Sequence, residues 1–445
     1  MDITLYNVPP YLCNTIKNNL STIIKKYLIK NEIDTSNPKT YMKIQKIPSF
    51  TNEKIFIQNL ISANIKIYKD SIHKEDFCPP NQNHTYDLTF QFAPANNLLI
   101  VGNGFDLEHG LKTHYTDFFE TINNRVSSKN EIILNNHKYL IEDNHLLLYL
   151  LKEYKQNKLQ GNNWIDIETE LKKIITLIEE IRTNNFIDNM NYYTGENEYT
   201  IIHKIQSKSS YYFKNYLFPF TIGTTGINFY RYVKEKYDTS IKNLEKNLNE
   251  LTNMLRDYLL EQDISNLTKT KDISDIDYKI THVLSFNYTD TFRKLYSKLD
   301  NDKIDFIHGS LNKNNLVLGI NETLTEDTEN KIIDTVYFKK YFQRIYKKTD
   351  YQYVSWLDST DSENYADFDT VYIHGHSLDE SDKEILEKII NSVLKKDTST
   401  VKIFYYDEKH YRQEVTNLIK VLGKDVFQKY YFQNRIIFIK QTSKK

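Results

Sequence analysis

Glycine is scarce here. Eleven glycines serve a chain of 445 residues, so two that bracket a single residue mark a place where the backbone needs unusual freedom. Cysteine is scarcer: Cys13 and Cys78 are the whole supply. No Cys-x-x-Cys pair exists, so a zinc ribbon is excluded and no zinc is expected. Two isolated thiols fit a reducing cytosol. Arginine is sparse beside lysine, which disfavours bidentate reading of phosphates or bases. The formal net charge of −1 gives no global pull towards nucleic acid or membrane. No apolar run reaches the ~20 residues of a membrane helix. The opening Met1-Asp2-Ile3-Thr4 lacks the basic and apolar regions of a signal peptide. These absences predict a cytoplasmic protein without a membrane partner. A serine nucleophile elbow, a Walker loop and a His-Glu-x-x-His motif are also missing.

What is present sorts into an accessory unit and a core. Residues 1–95 predict a small α+β unit, with strand patterning at Ile3-Thr4-Leu5-Tyr6, over 41–47 and at Ile65-Lys66-Ile67-Tyr68. Helical spacing runs over 11–29 and 56–63. The polar, proline-containing stretch 78–84 reads as a linker. Residues 96–445 predict an α/β core with a large helical insertion at about 120–278. Within the insertion, 164–181 has helical periodicity. Tyr237, Ile241, Leu244, Leu248, Leu251 and Leu255 form a heptad-like seam, suited to an intramolecular bundle or to a homo-oligomeric coiled coil. Apolar runs then predict strands over 282–286, 305–307, 316–320, 370–373, 401–405 and 434–440. Ser381 and Glu384 make a capping-box pattern ahead of a helix. Strands alternating with helices imply a doubly wound, mostly parallel sheet.

Chemistry concentrates where those strands end, the place an open α/β sheet binds its ligand. The run Leu98-Leu99-Ile100-Val101 breaks into Gly102-Asn103-Gly104-Phe105-Asp106. Gly102, Asn103 and Gly104 form a turn able to bring backbone N–H groups to a phosphate. Asp106 either caps the following helix or meets a ribose hydroxyl or water. Asn287, in Ser285-Phe286-Asn287-Tyr288-Thr289-Asp290, can orient a water or a ribose hydroxyl. His308, followed by Gly309, can act as a general base near neutral pH. Gly375, His376 and Ser377 form a second small-residue turn suited to the other end of a dinucleotide. Asp379 or Ser381 caps the next helix. Asp407, past the strand at 401–405, either binds a ribose or faces solvent. Asp166 and Glu168 in the insertion stand two apart, off a common helix face, so a metal pair is not expected there.

These blocks carry a resemblance. Gly102-Asn103-Gly104-Phe105-Asp106-Leu107, with His109-Gly110-Leu111, Thr113 and Tyr115-Thr116-Asp117-Phe118, resembles the opening signature of the bacteriophage abortive-infection protein family AbiH. Trp164-Ile165-Asp166-Ile167-Glu168, Phe286-Asn287-Tyr288-Thr289, Ile307-His308-Gly309 and Gly375-His376-Ser377-Leu378 resemble its later blocks in the same order. The same strand ends are more distantly similar to the sirtuin-like NAD-binding fold. That likeness implies a Rossmann-like sheet and NAD as ligand or substrate. Gly102, Asn103 and Gly104 would then sit at the pyrophosphate, Asn287 and His308 at the nicotinamide ribose, and Gly375 and Ser377 on the adenosine side, with Asp407 near its ribose. Asp106 or Asp290 would face positive charge developing on the ribose. The missing zinc cysteines argue against protein deacetylation. The function implied is antiphage defence through hydrolysis of the nicotinamide glycosidic bond, answering a phage-derived trigger. The alternatives are a nucleotide-binding sensor without turnover and a metal-dependent nuclease using Asp106, Asp166 or Glu168.

Overall fold

A computed structural model describes residues 2–8, 65–67, 86–94, 96–160, 165–183, 212–217, 227–296, 299–321, 333–349, 351–357 and 366–442. Both cysteines, Trp164 and the expected elements over 11–29, 41–47 and 56–63 lie outside these residues. The chain divides into two compact units, Met1–Asn96 and Asn97–Lys445. In the first unit β1 (Asp2–Val8) pairs antiparallel with β3 (Tyr86–Pro94), which also pairs antiparallel with β2 (Ile65–Ile67).

The second unit is built on a six-stranded sheet. Its strands are β4 (Asn97–Val101), β7 (His282–Ser285), β8 (Ile304–Phe306), β9 (Thr370–His374), β10 (Thr400–Tyr405) and β11 (Ile436–Lys440). They lie in the order β11-β10-β9-β4-β7-β8, with every neighbouring pair parallel. A strand covered on both faces must be apolar on both, and β4 shows this. Leu98 and Ile100 pack beneath the helices Lys383–Leu394 and Glu408–Leu422. Leu99 and Val101 face Phe105, Ile273 and Phe292 on the other side. The chain leaves β4 towards β7 in one direction and returns at β9 to build outwards in the other. The crevice between β4 and β9 is therefore the switch point of the sheet.

The insertion between β4 and β7 has its own core. The helices Tyr115–Arg125, His145–Leu159, Ile167–Thr183 and Ile227–Leu260 pack around it. All six residues of the heptad-like seam, from Tyr237 to Leu255, are buried in that core. The seam is thus spent within the chain, and a coiled coil with a second copy would have to open the core. A hairpin, β5 (Glu131–Leu134) and β6 (His137–Leu140), interrupts the helices. Its two-residue loop places Asn135 at φ 45° and Asn136 at φ 64°, the left-handed pair that suits a tight hairpin.

One expected strand is not one. Residues 316–320 are buried but make only a single bridge, Ile320 to Lys339. Side chains take the place of a ladder. Lys347 Nζ donates to the Leu316 carbonyl at 2.6 Å, Tyr288 Oη to that of Val317 at 2.8 Å, and Gln343 Nε2 to that of Leu318 at 2.7 Å. Backbone groups buried away from water need partners, and side chains can supply them. Among the described residues no helix is long and apolar enough to cross a membrane.

Candidate functional site

A cleft of about 880 Å³ opens over the carboxyl ends of the sheet. Residues following all six strands border it: Gly102, Asn287, His308, His376, Tyr406 and Gln441. The insertion supplies another wall through Tyr115 and Glu168.

The two glycine turns lock together at its floor. Gly102 donates to the His374 carbonyl at 3.2 Å and Gly104 to that of Gly375 at 2.7 Å. A Cβ on Gly102 would lie 2.6 Å from His376 Cα, and one on Gly104 would lie 2.8 Å from Gly375 Cα. Gly375 has φ +65°, and a Cβ there would stand 2.1 Å from the Phe105 nitrogen. The glycines therefore permit contact of two backbones, and the amides of Gly102 and Gly104 are spent on carbonyls of the chain itself. The helix after the turn is short, Asn103–Glu108, and starts earlier than the sequence spacing predicts. Asn103 Oδ1 accepts from Thr113 Oγ1 at 2.5 Å.

Asp106 lies within this helix and caps nothing; it is buried at 1% exposure. Thr289 Oγ1 donates to its Oδ2, and Thr291 donates to Thr289 at 3.1 Å. Its Oδ1 has no hydrogen-bond partner. Burial raises its pKa to about 6, against the lowering effect of Thr289, Thr291 and Asn287. Asn287 is fixed beside it, with Nδ2 donating to the Gly102 carbonyl at 2.9 Å.

Across the cleft, His308 and His376 share one carboxylate. Asp382 Oδ1 lies 3.4 Å from His308 Nε2, and its Oδ2 3.5 Å from His376 Nε2. The Leu378 amide donates to His376 Nδ1 at 2.9 Å. A backbone N–H can only donate, so the neutral His376 ring carries its proton on Nε2, towards Asp382. Burial, with Lys340 nearby, lowers the His308 pKa to about 4, although Asp382 pulls the other way. With the Nε2 proton turned to Asp382, His308 Nδ1 is an acceptor, and it has no partner. Despite its burial, Asp382 is held well below the usual carboxylate range by Lys340 and the two histidines. Lys340 in turn meets Glu168 Oε2 of the insertion at 2.7 Å. Burial pushes the Glu168 pKa up while Lys340 pulls it down.

Asp382 and Lys340 carry no signal of a site in the sequence. The expected Ser381–Glu384 capping box is absent: Asp379 caps a turn by accepting from the Ser381 amide at 3.0 Å, and the helix begins at Lys383. Asp382 occupies its N-cap position without a side-chain cap, its carboxylate given to the histidines. Lys340 sits at the start of the helix Lys340–Tyr346 after the expected strand at 316–320, and nothing nearby in sequence signals its burial.

Two expected ligand residues stand elsewhere. Asp290 borders a small void behind Phe105, not the cleft, and faces Arg293 at 3.7 Å. Asp407 N-caps the helix Glu408–Leu422, accepting from the His410 amide at 2.9 Å and from its Nδ1 at 2.7 Å. Gly375 and Ser377 do line the cleft, and the Ser377 carbonyl is held by Asn417 Nδ2 at 2.8 Å. Of the carboxylates considered for a metal, Asp166 is spent as a helix cap, accepting from the Glu168 amide at 3.0 Å and from Thr169 Oγ1 at 2.6 Å.

The family model for bacteriophage abortive infection AbiH matches residues 98–405, more than half of the chain. No curated protein and no solved structure matches the chain.

Proposed function

The chain belongs to the bacteriophage abortive infection AbiH family, and from that premise we propose an antiphage effector whose cleft binds NAD and hydrolyses its nicotinamide glycosidic bond. The observation that carries this reading is a pair of buried, unsatisfied atoms, Asp106 Oδ1 and His308 Nδ1, on residues lining one cleft at the switch point. Buried polar atoms in folded proteins almost always have partners, so both call for groups of a ligand. The strand order supports a dinucleotide. Counted from β4, the sheet runs 3-2-1-4-5-6, the Rossmann-like order implied by the sirtuin likeness.

In this reaction the C1′–N bond breaks with its electron pair leaving on nicotinamide, and the ribose gains oxocarbenium character. Asp106, ionised above a pH of about 6, stabilises that charge from a water-poor site. Asn287, anchored on Gly102, holds a ribose hydroxyl. Water adds to C1′ and passes its proton to His308 Nδ1, giving ADP-ribose. A weakly basic imidazole suffices because water bonding to so electron-poor a carbon becomes strongly acidic. Gly102, Gly104 and Gly375 bring two turns together under the ligand, with Asn103 and Ser377 at its edges.

The test is nicotinamide release by purified protein, with and without phage lysate. Release is expected, and His308→Ala or Asn287→Ala should cut it by roughly 100-fold or more with the fold retained. Full activity in both variants would refute the site. NAD binding without release in either condition would leave the sensor reading. Neither binding nor release would overturn the proposal, and metal-dependent cutting of DNA or RNA would then become the next assay.

A further inference from the structure

A third buried, unsatisfied atom belongs to the same cleft, on the half that the chemistry above does not use. Glu414, on the helix Glu408–Leu422, lines it beside Ser377, Tyr406 and His410. The residue is 7% exposed, and its Oε2 makes no hydrogen bond. Burial alone raises its pKa to about 8, with no cation offsetting it. A buried carboxyl without a partner costs stability, so its presence needs a reason.

Position supplies one. The glycosidic site stands at the ends of β4, β7 and β8, whereas Glu414 follows β10. The helix that carries Glu414 is bonded to the second glycine turn, where Asn417 Nδ2 donates to the Ser377 carbonyl at 2.8 Å. Tyr406, 43% exposed just past β10, borders the same cleft. Its ring lies nearly perpendicular to that of His410, with centroids 5.9 Å apart. An aromatic face and a carboxyl in one cleft suit a flat heterocycle: the ring stacks, and the carboxyl meets its edge.

We propose that Glu414 and Tyr406 form a nucleobase subsite, in which the Glu414 carboxyl pairs with the amino-and-ring-nitrogen edge of adenine. A protonated carboxyl offers one O–H donor and one C=O acceptor side by side. The adenine edge offers an N–H donor beside a nitrogen acceptor, so two hydrogen bonds form without a net charge. A phosphate gains nothing from this site, because the carboxyl repels it once ionised. The inference rests on the nucleotide reading of the cleft and adds the residues that hold its adenine end.

The test measures binding, not turnover. AMP carries the adenine half of NAD and nicotinamide mononucleotide carries the other. Calorimetry with each is done on the wild-type protein, Glu414→Leu and Glu414→Gln. Leucine has similar bulk and removes an unsatisfied carboxyl, so the free protein should melt at the same temperature or higher. The expected result is AMP binding weakened about 10- to 100-fold in the leucine variant. Glutamine, which keeps a donor and an acceptor, should lie close to wild type, and nicotinamide mononucleotide should be unchanged throughout. AMP binding unaffected by leucine, or both ligands weakened equally, would overturn the subsite while leaving the nucleotide reading intact. Wild-type protein that binds neither AMP, nicotinamide mononucleotide nor NAD would overturn both.

Discussion

At the scale of single residues, Asp106 sets function against stability. Its pKa rises from 3.8 to about 6 on folding, so the folded state holds the proton more tightly than the unfolded chain. Stability then falls as pH rises from about 4 to about 6, and the whole cost, about 3 kcal/mol, persists above that range. Asp106→Asn can still accept from Thr289 and removes the charge. It should unfold at higher urea than wild type at pH 8, with the gap closing towards pH 4, while nicotinamide release is lost. Wild-type turnover should climb as pH passes through about 6. A variant no more stable at pH 8 would show that the carboxylate is better solvated than its burial implies. Asp106, Asn287 and His308 were legible because each follows an apolar run in sequence. Asp382, Lys340 and Glu414 were not. Each lies in or beside a helix, where a charged residue ordinarily faces water, and only the tertiary fold turns it inward.

Among elements, the interlocked turns after β4 and β9 fix the geometry of the floor. Gly375→Ala meets both a left-handed backbone and the Phe105 amide. Gly423, at φ +81° between the two last helices, has open space around it: a Cβ there would meet nothing within 4 Å. Alanine at Gly423, whose φ 81° and ψ 150° only glycine adopts readily, should cost about 1–3 kcal/mol, the backbone penalty alone, whereas Gly375→Ala should cost more and impair ligand binding. Thermal melts of the two variants compare them directly; equal shifts would mean that the turns can separate without loss. The central strands β4, β7 and β9 were readable because burial on both faces calls for apolar runs, whereas Asp305 and Lys402 interrupt β8 and β10. The same logic misled at 316–320, where burial is real but Lys347, Tyr288 and Gln343 side chains replace the ladder. Hydropathy reports burial and is silent about which partner takes the carbonyls.

For the whole molecule, the insertion and the sheet meet through charge. Glu168 belongs to the helix Ile167–Thr183, Lys340 to the segment after β8, and Asp382 to the helix after β9. Removing one partner of such a pair strands the other. Lys340 is buried but the Glu168 side chain is 24% exposed, so the removal costs less than the roughly 3–5 kcal/mol of a fully buried pair. Lys340→Met should therefore lower the melting temperature more than the double change Glu168→Gln with Lys340→Met. It should also raise the His308 pKa, since Lys340 helps to depress it, and this is readable by NMR titration. A double variant that melts no higher than Lys340→Met would dissolve the proposed link. The seam from Tyr237 to Leu255 was legible as helical, but its partner was not, because a heptad pattern is the same whether it meets its own chain or another.

The order of the strands also dictates a timetable. β4 lies between β7 and β9, so the first core strand to be made waits for two partners synthesised much later. At roughly 5–20 residues per second, tens of seconds separate Val101 from His374 on the ribosome. The cleft draws on residues from Gly102 to Gln441, so no shorter nascent fragment contains it. For the proposed NAD hydrolysis, a nascent chain that has not reached His374 lacks the partner of the Gly102 turn and is expected to leave the cofactor intact.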